Sequence, residues 1–409
     1  MSNTQKKNVP ELRFLGFEGE WEEKQLGDII KVNSGKDYKH LDKGDIPVYG
    51  TGGYMTSVSE PLSEIDAVGI GRKGTINKPY LLEAPFWTVD TLFYCTPKKE
   101  TDILFILSLF RKINWKVYDE STGVPSLSKQ TINKINRFVP TNKEQQKIGK
   151  FFSKLDRQIE LEEQKLELLQ QQKKGYMQKI FSQELRFKDE NGNDYPESLL
   201  YKLSEIGTFN TGIGFPESLQ GGKEGIPFFK ISDMNNKGNE IIMRNANNYV
   251  SNGIIESKKW KIITNVPSMI FAKVGAAIML NRKRLVLEPF LIDNNTMSYS
   301  FSQEWNINFG RTLFQTIYLP KYAQVGALPS YNAKDIGLIK IELPVKEEQK
   351  RIGDFFVWFE ELIERQILKL DLLKERKERF YRKCLFNLSL QYSFNYLFIS
   401  AVSSHDITL

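Results

Sequence analysis

The sequence predicts a mixed α/β (α+β) protein whose two globular domains are separated and joined by two long, internally repeated helices. Two observations carry this prediction: one stretch of the chain occurs twice at an offset of 204 residues, and an apolar heptad pattern runs through both copies. The regions between the copies contain short apolar runs bounded by glycine- and asparagine-rich turns, which are typical of strands.

These observations divide the 409 residues into five segments, in line with ~100–200 residues per domain. The order is domain, helix, domain, helix, which indicates one scaffold used twice. We expect a first domain at residues 1–142, a first long helix at 143–185, a second domain at 186–345, a second long helix at 346–386 and an atypical C-terminal tail at 387–409.

The repeat is clearest where each long helix begins. Val139–Phe152 matches Leu343–Phe356 at the offset of 204, and six of the twelve positions in 144–155 are identical to their partners. The same offset relates Ser128 to Asn332, and both residue types are preferred helix N-caps. The repeat therefore keeps a helix start signal as well as individual letters.

The two domains resemble each other less than the helices do. Ile46–Tyr49 resembles Ile226–Phe229 at an offset of 180, whereas Pro85-Phe86 resembles Pro289-Phe290 at 204. The helices keep one offset while the domains between them differ in length. This is expected for one scaffold that carries two different recognition domains.

The helical seam follows an alternating spacing of four and three residues without proline from Glu144 to Phe181. Polar residues interrupt it at Glu162 and Lys173, and Gln366 and Lys377 occupy the same slots of the second copy. Because the copies share this register, we expect the two helices to pair with each other as an intramolecular coiled coil; the alternative is a homodimerising coil. The apolar seam residues are Ile148, Phe152, Leu155, Ile159, Leu166, Leu169, Ile352, Phe356, Phe359, Ile363, Leu370 and Leu373.

Composition excludes several classes of protein. The chain has no apolar stretch of ~18 residues and no secretory signal, so we expect a cytoplasmic protein without membrane attachment. Two distant cysteines and two histidines argue against a disulfide framework, a metal site or histidine-based catalysis. A net charge of +7 and a pI near 9.0 are compatible with a polyanionic partner.

Several loops of the two domains combine glycine with basic side chains, notably 33–40, 69–75, its second-half counterpart 272–275, and 281–284. Glycine lets a backbone approach a phosphate closely, and Arg or Lys neutralises the phosphate or reaches a guanine edge. A single such loop is more often a solvated turn, but the set favours contact with DNA. The candidate DNA-binding residues are Lys36, Lys39, Arg72, Lys73, Thr75, Lys273, Arg282, Lys283 and Arg284.

The sequence predicts no catalytic residues and no metal ligands. It has neither a phosphate-binding loop nor a dinucleotide fingerprint, and no acidic cluster has nuclease spacing. Asn77–Tyr80 is one residue short of the Asn-Pro-Pro-Tyr element of DNA adenine methyltransferases, because Lys78 replaces the first proline. Two alternatives to a DNA-binding subunit therefore stay open: a self-contained DNA adenine methyltransferase and a coiled-coil adaptor that does not bind DNA.

The start and the end of the repeated helix carry a family resemblance. Lys143–Asp156 and Lys173–Phe181 resemble the conserved region of type I restriction–modification specificity subunits, and Leu343–Phe386 resembles the same region again. The resemblance spans residues 10–386 in the order of the family. Two features depart from it: Arg379 replaces the glycine of the first copy, and the tail contains no Lys or Arg.

The resemblance implies that each domain is a target-recognition domain that reads one half of a bipartite site in double-stranded DNA. The helix pair would set the gap between the half-sites and dock modification subunits, two of them, that methylate adenine N6. Restriction subunits would add translocation and cleavage. The chain itself would bind no cofactor, and S-adenosylmethionine, ATP and Mg are expected on the partner subunits.

Overall fold

The computed structural model describes residues 8–324 and 328–385, so the expected tail at 387–409 lies outside the described residues. Contacts divide the chain into two compact units, the first made of Met1–Lys165 and Gln366–Leu409 and the second of Leu166–Arg365. Each unit contains one globular domain and part of each long helix. The two units therefore do not consist of consecutive segments of the chain.

The first domain consists of short strands and short helices in front of the first long helix. Its strands are β1 (Glu22–Gln25), β2 (Ile30–Ser34), β3 (Ile46–Gly50), β4 (Gly53–Val58), β5 (Ala67–Gly71), β6 (Tyr80–Leu82), β7 (Trp87–Thr88), β8 (Leu92–Pro97) and β9 (Asn136–Val139). Its helices are α1 (Leu26–Ile29), α2 (Ile103–Lys112) and α3 (Lys129–Asn133), with a 3-10 turn at Trp115–Tyr118, and α4 (Asn142–Phe181) follows.

The second domain has its nine strands in the same order and an additional helix before its fifth strand. Its strands are β10 (Leu199–Lys202), β11 (Gly207–Thr211), β12 (Ile226–Phe229), β13 (Tyr249–Val250), β14 (Ser268–Ala272), β15 (Lys283–Val286), β16 (Leu291–Ile292), β17 (Thr296–Phe301) and β18 (Lys340–Leu343). Its helices are α5 (Asn252–Lys258), α6 (Ile307–Thr316) and α7 (Ala333–Gly337), and α8 (Lys346–Leu385) follows. Short 3-10 turns lie at Leu203–Glu205, Glu217–Leu219, Ile231–Asn235, Ala276–Leu280 and Leu319–Tyr322.

Both domains have one topology. An antiparallel four-stranded sheet has the order β2-β8-β5-β6 in the first domain and β11-β17-β14-β15 in the second. A three-stranded sheet has the order β4-β3-β7 and β13-β12-β16, with β7 and β16 parallel to their neighbours. From β7 and β16 onward the elements keep the offset of 204. This confirms the predicted α+β fold class and its duplication.

The cores lie between the four-stranded sheets and the helices that follow them. Every residue of β5 and of β14 is buried, because one apolar cluster covers each face of these two strands, and side chains along a strand alternate between the faces. Helix α2 begins at an aspartate N-cap, Asp102, whose side chain accepts from Phe105 N, and α6 begins at Asn306 in the same way. Apolar side chains of both helices then cover the sheet, which stabilises each domain by roughly 1.5–3 kcal/mol per large side chain.

The long helices contain 40 residues each, and every position of α8 is 204 residues beyond its counterpart in α4. In the first unit, Phe152 stacks on Tyr381 with ring centroids 4.1 Å apart. In the second unit, Tyr176 packs on Phe359 with centroids 5.6 Å apart. Later positions of one helix therefore meet earlier positions of the other, so the pair is antiparallel. This confirms the intramolecular pairing.

A helix that crosses a bilayer needs about 20 predominantly apolar residues. None of the helices in residues 8–324 and 328–385 meets this requirement.

The polar slots of the seam are filled by specific partners. Gln366 donates to the Glu162 carboxylate at 2.7 Å and to its carbonyl at 2.9 Å, whereas Lys173 donates to Glu360 at 2.8 Å. These bonds satisfy buried polar groups at one register only, which fixes the alignment of the two helices. Among the predicted seam residues Leu166, Leu169 and Ile363 are half-buried, and the others are buried.

The repeated Ile-Gly dipeptide marks the joint between each domain and its helix. A Cβ at Gly149 would lie 2.5 Å from Asp102 Oδ1 and 2.7 Å from Phe105 N, and a Cβ at Gly353 would lie 2.7 Å from Phe309 N. Only glycine lets α4 approach the first turn of α2, and α8 approach the first turn of α6, this closely. The residues that are identical in the two copies of the repeat therefore include the glycines of a tight packing contact.

Substituting Gly149 tests this joint. We expect Gly149→Ala to lower the free energy of unfolding by about 1–3 kcal/mol, because the added methyl group meets backbone and a capping side chain. Gly175→Ala is the matched control, since nothing lies within 4 Å of its Cβ position. Alanine there should raise stability by up to about 1 kcal/mol through helix propensity. Urea denaturation followed by circular dichroism measures both; equal effects of the two substitutions would contradict the tight joint.

Candidate nucleic-acid interface

A short turn at residues 88–92, which we call the first organising turn, holds three distant parts of the first domain. Lys36 N donates to Thr88 O at 2.8 Å, and Arg72 N donates to Thr91 O at 2.8 Å. Val89 N donates to Tyr49 O at 3.0 Å, which attaches the β3–β4 hairpin. Two loops that are separated by about thirty residues thus meet at one place.

Glycines make this assembly sterically feasible. A Cβ at Gly35 would lie 1.9 Å from Val89 O, and a Cβ at Gly71 would lie 2.2 Å from Thr75 O. Both positions exclude any side chain, because each loop runs against backbone. The glycine-plus-cation pattern of the two loops therefore has a structural cause: glycine seats the loop, and the cation that follows it extends away.

The second domain repeats the arrangement at residues 292–296, the second organising turn. Ile213 N donates to Ile292 O at 3.0 Å, Lys273 N to Asn295 O at 2.8 Å, and Asp293 N to Phe229 O at 3.2 Å. Each acceptor or donor on this turn is 204 residues beyond its counterpart on the first. The two domains thus present corresponding loops on corresponding turns.

The loop at 272–275 is the structural counterpart of the loop at 69–75, as the sequence predicted. Gly74 N donates to Pro125 O and Gly275 N to Pro329 O, both at 2.8 Å, and both glycines have positive φ, at 95° and 87°. Lys273 therefore occupies the position of Arg72, while an apolar residue, Val274, occupies that of Lys73.

The first organising turn brings most of the predicted contact residues of the first domain together. Lys36, Lys39, Arg72 and Lys73 are exposed, and Thr75 is half-buried. The Arg72 guanidinium lies 5.8 Å from the ring of Phe93, which restrains its direction. In the second domain Lys273 is half-buried on the second organising turn.

The cluster Arg282, Lys283 and Arg284 is placed differently, because the structure uses its donors internally. Lys283 Nζ donates to Ile317 O at 2.8 Å, and burial lowers the pKa of Lys283 to about 8. Arg284 Nε donates to Asn239 O at 2.7 Å, and burial lowers the pKa of Arg284 as well. Arg282 donates to the side-chain oxygen of Asn235 at 2.5 Å. None of these three bonds joins the cluster to the second organising turn, and the geometry favours a role in packing β15.

Two features escaped the sequence reasoning. The tip of the β3–β4 hairpin exposes Tyr54 and Met55, at 64% and 53%, beside the first organising turn; the glycine-rich turn that precedes them was the available signal. Glu11–Phe14 and Glu184–Phe187 are the same four letters at an offset of 173. Their arginines pair with the repeated glutamates: Arg13 with Glu144 at 2.7 Å and Arg186 with Glu348 at 2.6 Å. This second repeat is visible in the sequence, but its offset of 173 differs from the offset of 204 that relates the long helices.

The element that resembled an adenine methyltransferase motif has a structural explanation. Asn77 and Lys78 are exposed in the connection between β5 and β6. Tyr80 is half-buried in β6, where its hydroxyl donates to Gly50 O at 2.6 Å and burial raises its pKa. The tyrosine anchors the β3–β4 hairpin, so it is not positioned to hold a flipped base against Asn77.

Comparison with known families decides the identity. The model of the type I restriction modification DNA specificity domain matches the chain twice, at residues 18–171 and 197–370. The chain belongs to the type I restriction–modification specificity family. Members of this family are non-catalytic subunits that act with modification and restriction subunits on DNA, so the chain is not an enzyme by itself. The methyltransferase and adaptor alternatives are therefore wrong.

Individual relatives agree with the family. The type I restriction enzyme MjaVIII specificity subunit of Methanocaldococcus jannaschii is 22% identical and aligns with 91% of this chain and 93% of its own length. The crystal structure of an S subunit from M. genitalium has a TM-score of 0.61 at 14% identity, covering 93% of this chain and 100% of the other. A structure described under complex assembly and conformational transition of the type I R-M system has a TM-score of 0.52 at 13% identity, with coverage of 89% and 97%. The structural matches support the specificity-subunit fold.

Proposed function

We propose that the two organising turns present the DNA-reading surfaces of this specificity subunit, one for each half of a bipartite site. The observation that carries the proposal is the duplication of one hydrogen-bond pattern under two sets of loops with different side chains. A shared frame gives both domains the same approach to DNA, and the differing side chains give them different sequences to read. Helices α4 and α8 would set the gap between the half-sites.

Within the first domain, Lys36, Arg72 and Lys73 would contact phosphates or base edges, with Lys39 and Thr75 at the margin. Tyr54 and Met55 would supply apolar contacts to the bases. In the second domain, Lys273 would take the place of Arg72, and Arg282–Arg284 would contribute through the field of their charge rather than through direct bonds.

The docking of partners would use the long helices. In the first unit Leu161, Leu368 and Leu372 are exposed on the helices, and in the second Leu168 and Trp358 are exposed. Exposed large apolar side chains on otherwise charged helices are typical of interaction sites. We propose one modification subunit on each unit, two in total, with restriction subunits joining the assembly in the cytoplasm. The chain itself would bind no cofactor, and S-adenosylmethionine, ATP and Mg would belong to these partners.

Mapping methylation tests the proposed function. The chain is co-expressed with a cognate modification subunit, and N6-methyladenine is located across the host genome. We expect a new motif of two short specific parts separated by a fixed unspecified gap. Absence of new methylation, while the same modification subunit is active beside another specificity subunit, would overturn the proposal.

A charge substitution tests the assignment of the first reading surface. We expect Arg72→Ala to weaken binding of the assembled complex to its DNA and to reduce the slope of log affinity against log salt by about 1. Lys24→Ala is the matched control, because Lys24 lies on β1, pairs with Glu22 and makes no hydrogen bond to the organising turn. Fluorescence anisotropy over a salt series measures both; an unchanged slope for Arg72→Ala would remove this residue from the surface.

A further inference from the structure

One carboxylate in the first unit connects three helices. Asp156 of α4 forms an ion pair with Lys377 of α8 at 2.5 Å and another with Arg111, in the last turn of α2. The Asp156 side chain is 25% exposed, and the two cations are 21% and 30% exposed. The recognition domain, through α2, is thereby linked to both members of the helix pair at a single group.

The second unit contains the same kind of triad. Glu360 of α8 pairs with Lys173 of α4 at 2.8 Å and with Arg311 of α6 at 2.6 Å. Its members are more deeply buried, at 15% for Glu360 and 7% for Arg311. The carboxylates and the lysines occupy equivalent positions of the repeat, since 156 and 173 become 360 and 377 at the offset of 204.

The arginines, in contrast, occupy different positions. Arg311 corresponds to Leu107, and Arg111 corresponds to Gln315, one helical turn further along. The two domains thus supply a guanidinium to the same carboxylate from sites four residues, or ~6 Å, apart along their helices. Each unit thus forms the same ion pair between an arginine and the helix carboxylate from a different position. This indicates that the ion pair is needed, and not an arginine inherited at one position of the repeat.

The triad also provides a second attachment point for the domain. The first turn of α2 already packs on Gly149, and Asp102 N donates to Gln145 Oε1 at 3.0 Å. Asp156 is seven residues beyond Gly149, so the two attachments are separated by ~10 Å along α4. One attachment would let a domain rock about it, whereas two fix its angle to the helix.

We propose that Asp156 and Glu360 are positioning residues that fix the angle of each recognition domain on the helix pair and thereby determine which gap lengths the complex accepts. This proposal rests on the proposed function. It predicts that the loops still read the same half-sites after the triad is broken. A domain free to rock would reach half-sites displaced by a base pair, so the variant would accept several gaps where the native protein accepts one.

The experiment compares methylation by complexes that contain the native chain, Asp156→Asn or Glu360→Gln. We expect both variants to keep the two half-site sequences, while discrimination against a gap changed by one base pair falls about tenfold, which corresponds to about 1.4 kcal/mol. Arg157→Gln is the control, because it breaks an exposed ion pair with Glu160 beside the triad. Its gap preference should match that of the native chain.

Moving the arginine provides a test that does not depend on the stability of the carboxylate variants. Arg111→Gln should relax gap selection, and adding Leu107→Arg to it should restore selection by copying the arrangement of the second unit. A relaxed but unrestored double variant, or native gap selection in Arg111→Gln, would overturn the positioning role. A native chain that methylates no bipartite motif would instead overturn the proposed function, so the two failures are distinguishable.

Discussion

Replacing residues 22–139 with the corresponding segment of another specificity subunit, chosen to supply an arginine to Asp156 as Arg111 does, is expected to change one half of the recognised site and to leave the other half and the gap unchanged. The structural reason is that β1 and β9 pair along their whole length, with Glu22 opposite Val139. The two ends of the domain thus lie side by side at its base. All loops of the first organising turn fall inside this segment, and the long helices fall outside it.

The exchange should spare the residues that precede β1. Arg13 pairs with Glu144, and Leu12 N donates to Lys383 O at 2.9 Å, so this segment belongs to the base of the helices. Exchanging residues 1–142, the boundary expected from sequence, would also replace the residues that make these bonds and would confound altered reading with altered assembly.

Methylation mapping measures the outcome, and the reciprocal exchange of residues 199–343 is the control. Its ends are closed in the same way, since Leu199 lies opposite Leu343 in the pairing of β10 with β18. It should alter only the other half-site. If either exchange changed both halves, the domains would not read independently, and the modular interpretation would fail.

The long helices were predictable because their signal is local and periodic. The heptad spacing and the repeated polar slots sufficed to predict two paired helices. Strands lie where apolar runs meet turn residues, as at Ile46–Tyr49 and Ile226–Phe229, which lie in β3 and β12. Their order in the sheets was not predictable, since pairing of β2 with β8 joins residues about sixty positions apart.

The candidate site divides in the same way. The correspondence between the loops at 69–75 and 272–275 followed from sequence, whereas the turn that joins each of them to its neighbours did not. Charge alone could not separate exposed Arg72 from half-buried Lys283, because burial depends on what packs around β15. The triads at Asp156 and Glu360 were hidden for a related reason: the arginine of one unit is not the repeat partner of the arginine of the other.

Inserting four residues after Leu169 of α4 alone is expected to abolish assembly or to alter the accepted gap. Four residues lengthen one helix by ~6 Å and turn it ~40° beyond a full turn. Lys173 and Tyr176 would then no longer face Glu360 and Phe359 while the contacts of Glu162 were kept. Size-exclusion chromatography of the complex and methylation mapping measure the result.

A matched pair of insertions separates length from register. Seven residues after Leu169, together with seven after Ile363 of α8, fall between the Glu162–Gln366 contact and the Lys173–Glu360 contact and shift both helices by one heptad. Register is nearly restored while the pair grows by ~10 Å, the rise of about three base pairs. We expect this variant to assemble, to keep both half-site sequences and to methylate sites with a gap longer by about three base pairs. If this variant assembled but still methylated sites with the native gap, the helices would not determine the spacing. The helix pair would then be longer while its register was kept, and the gap would not have followed its length.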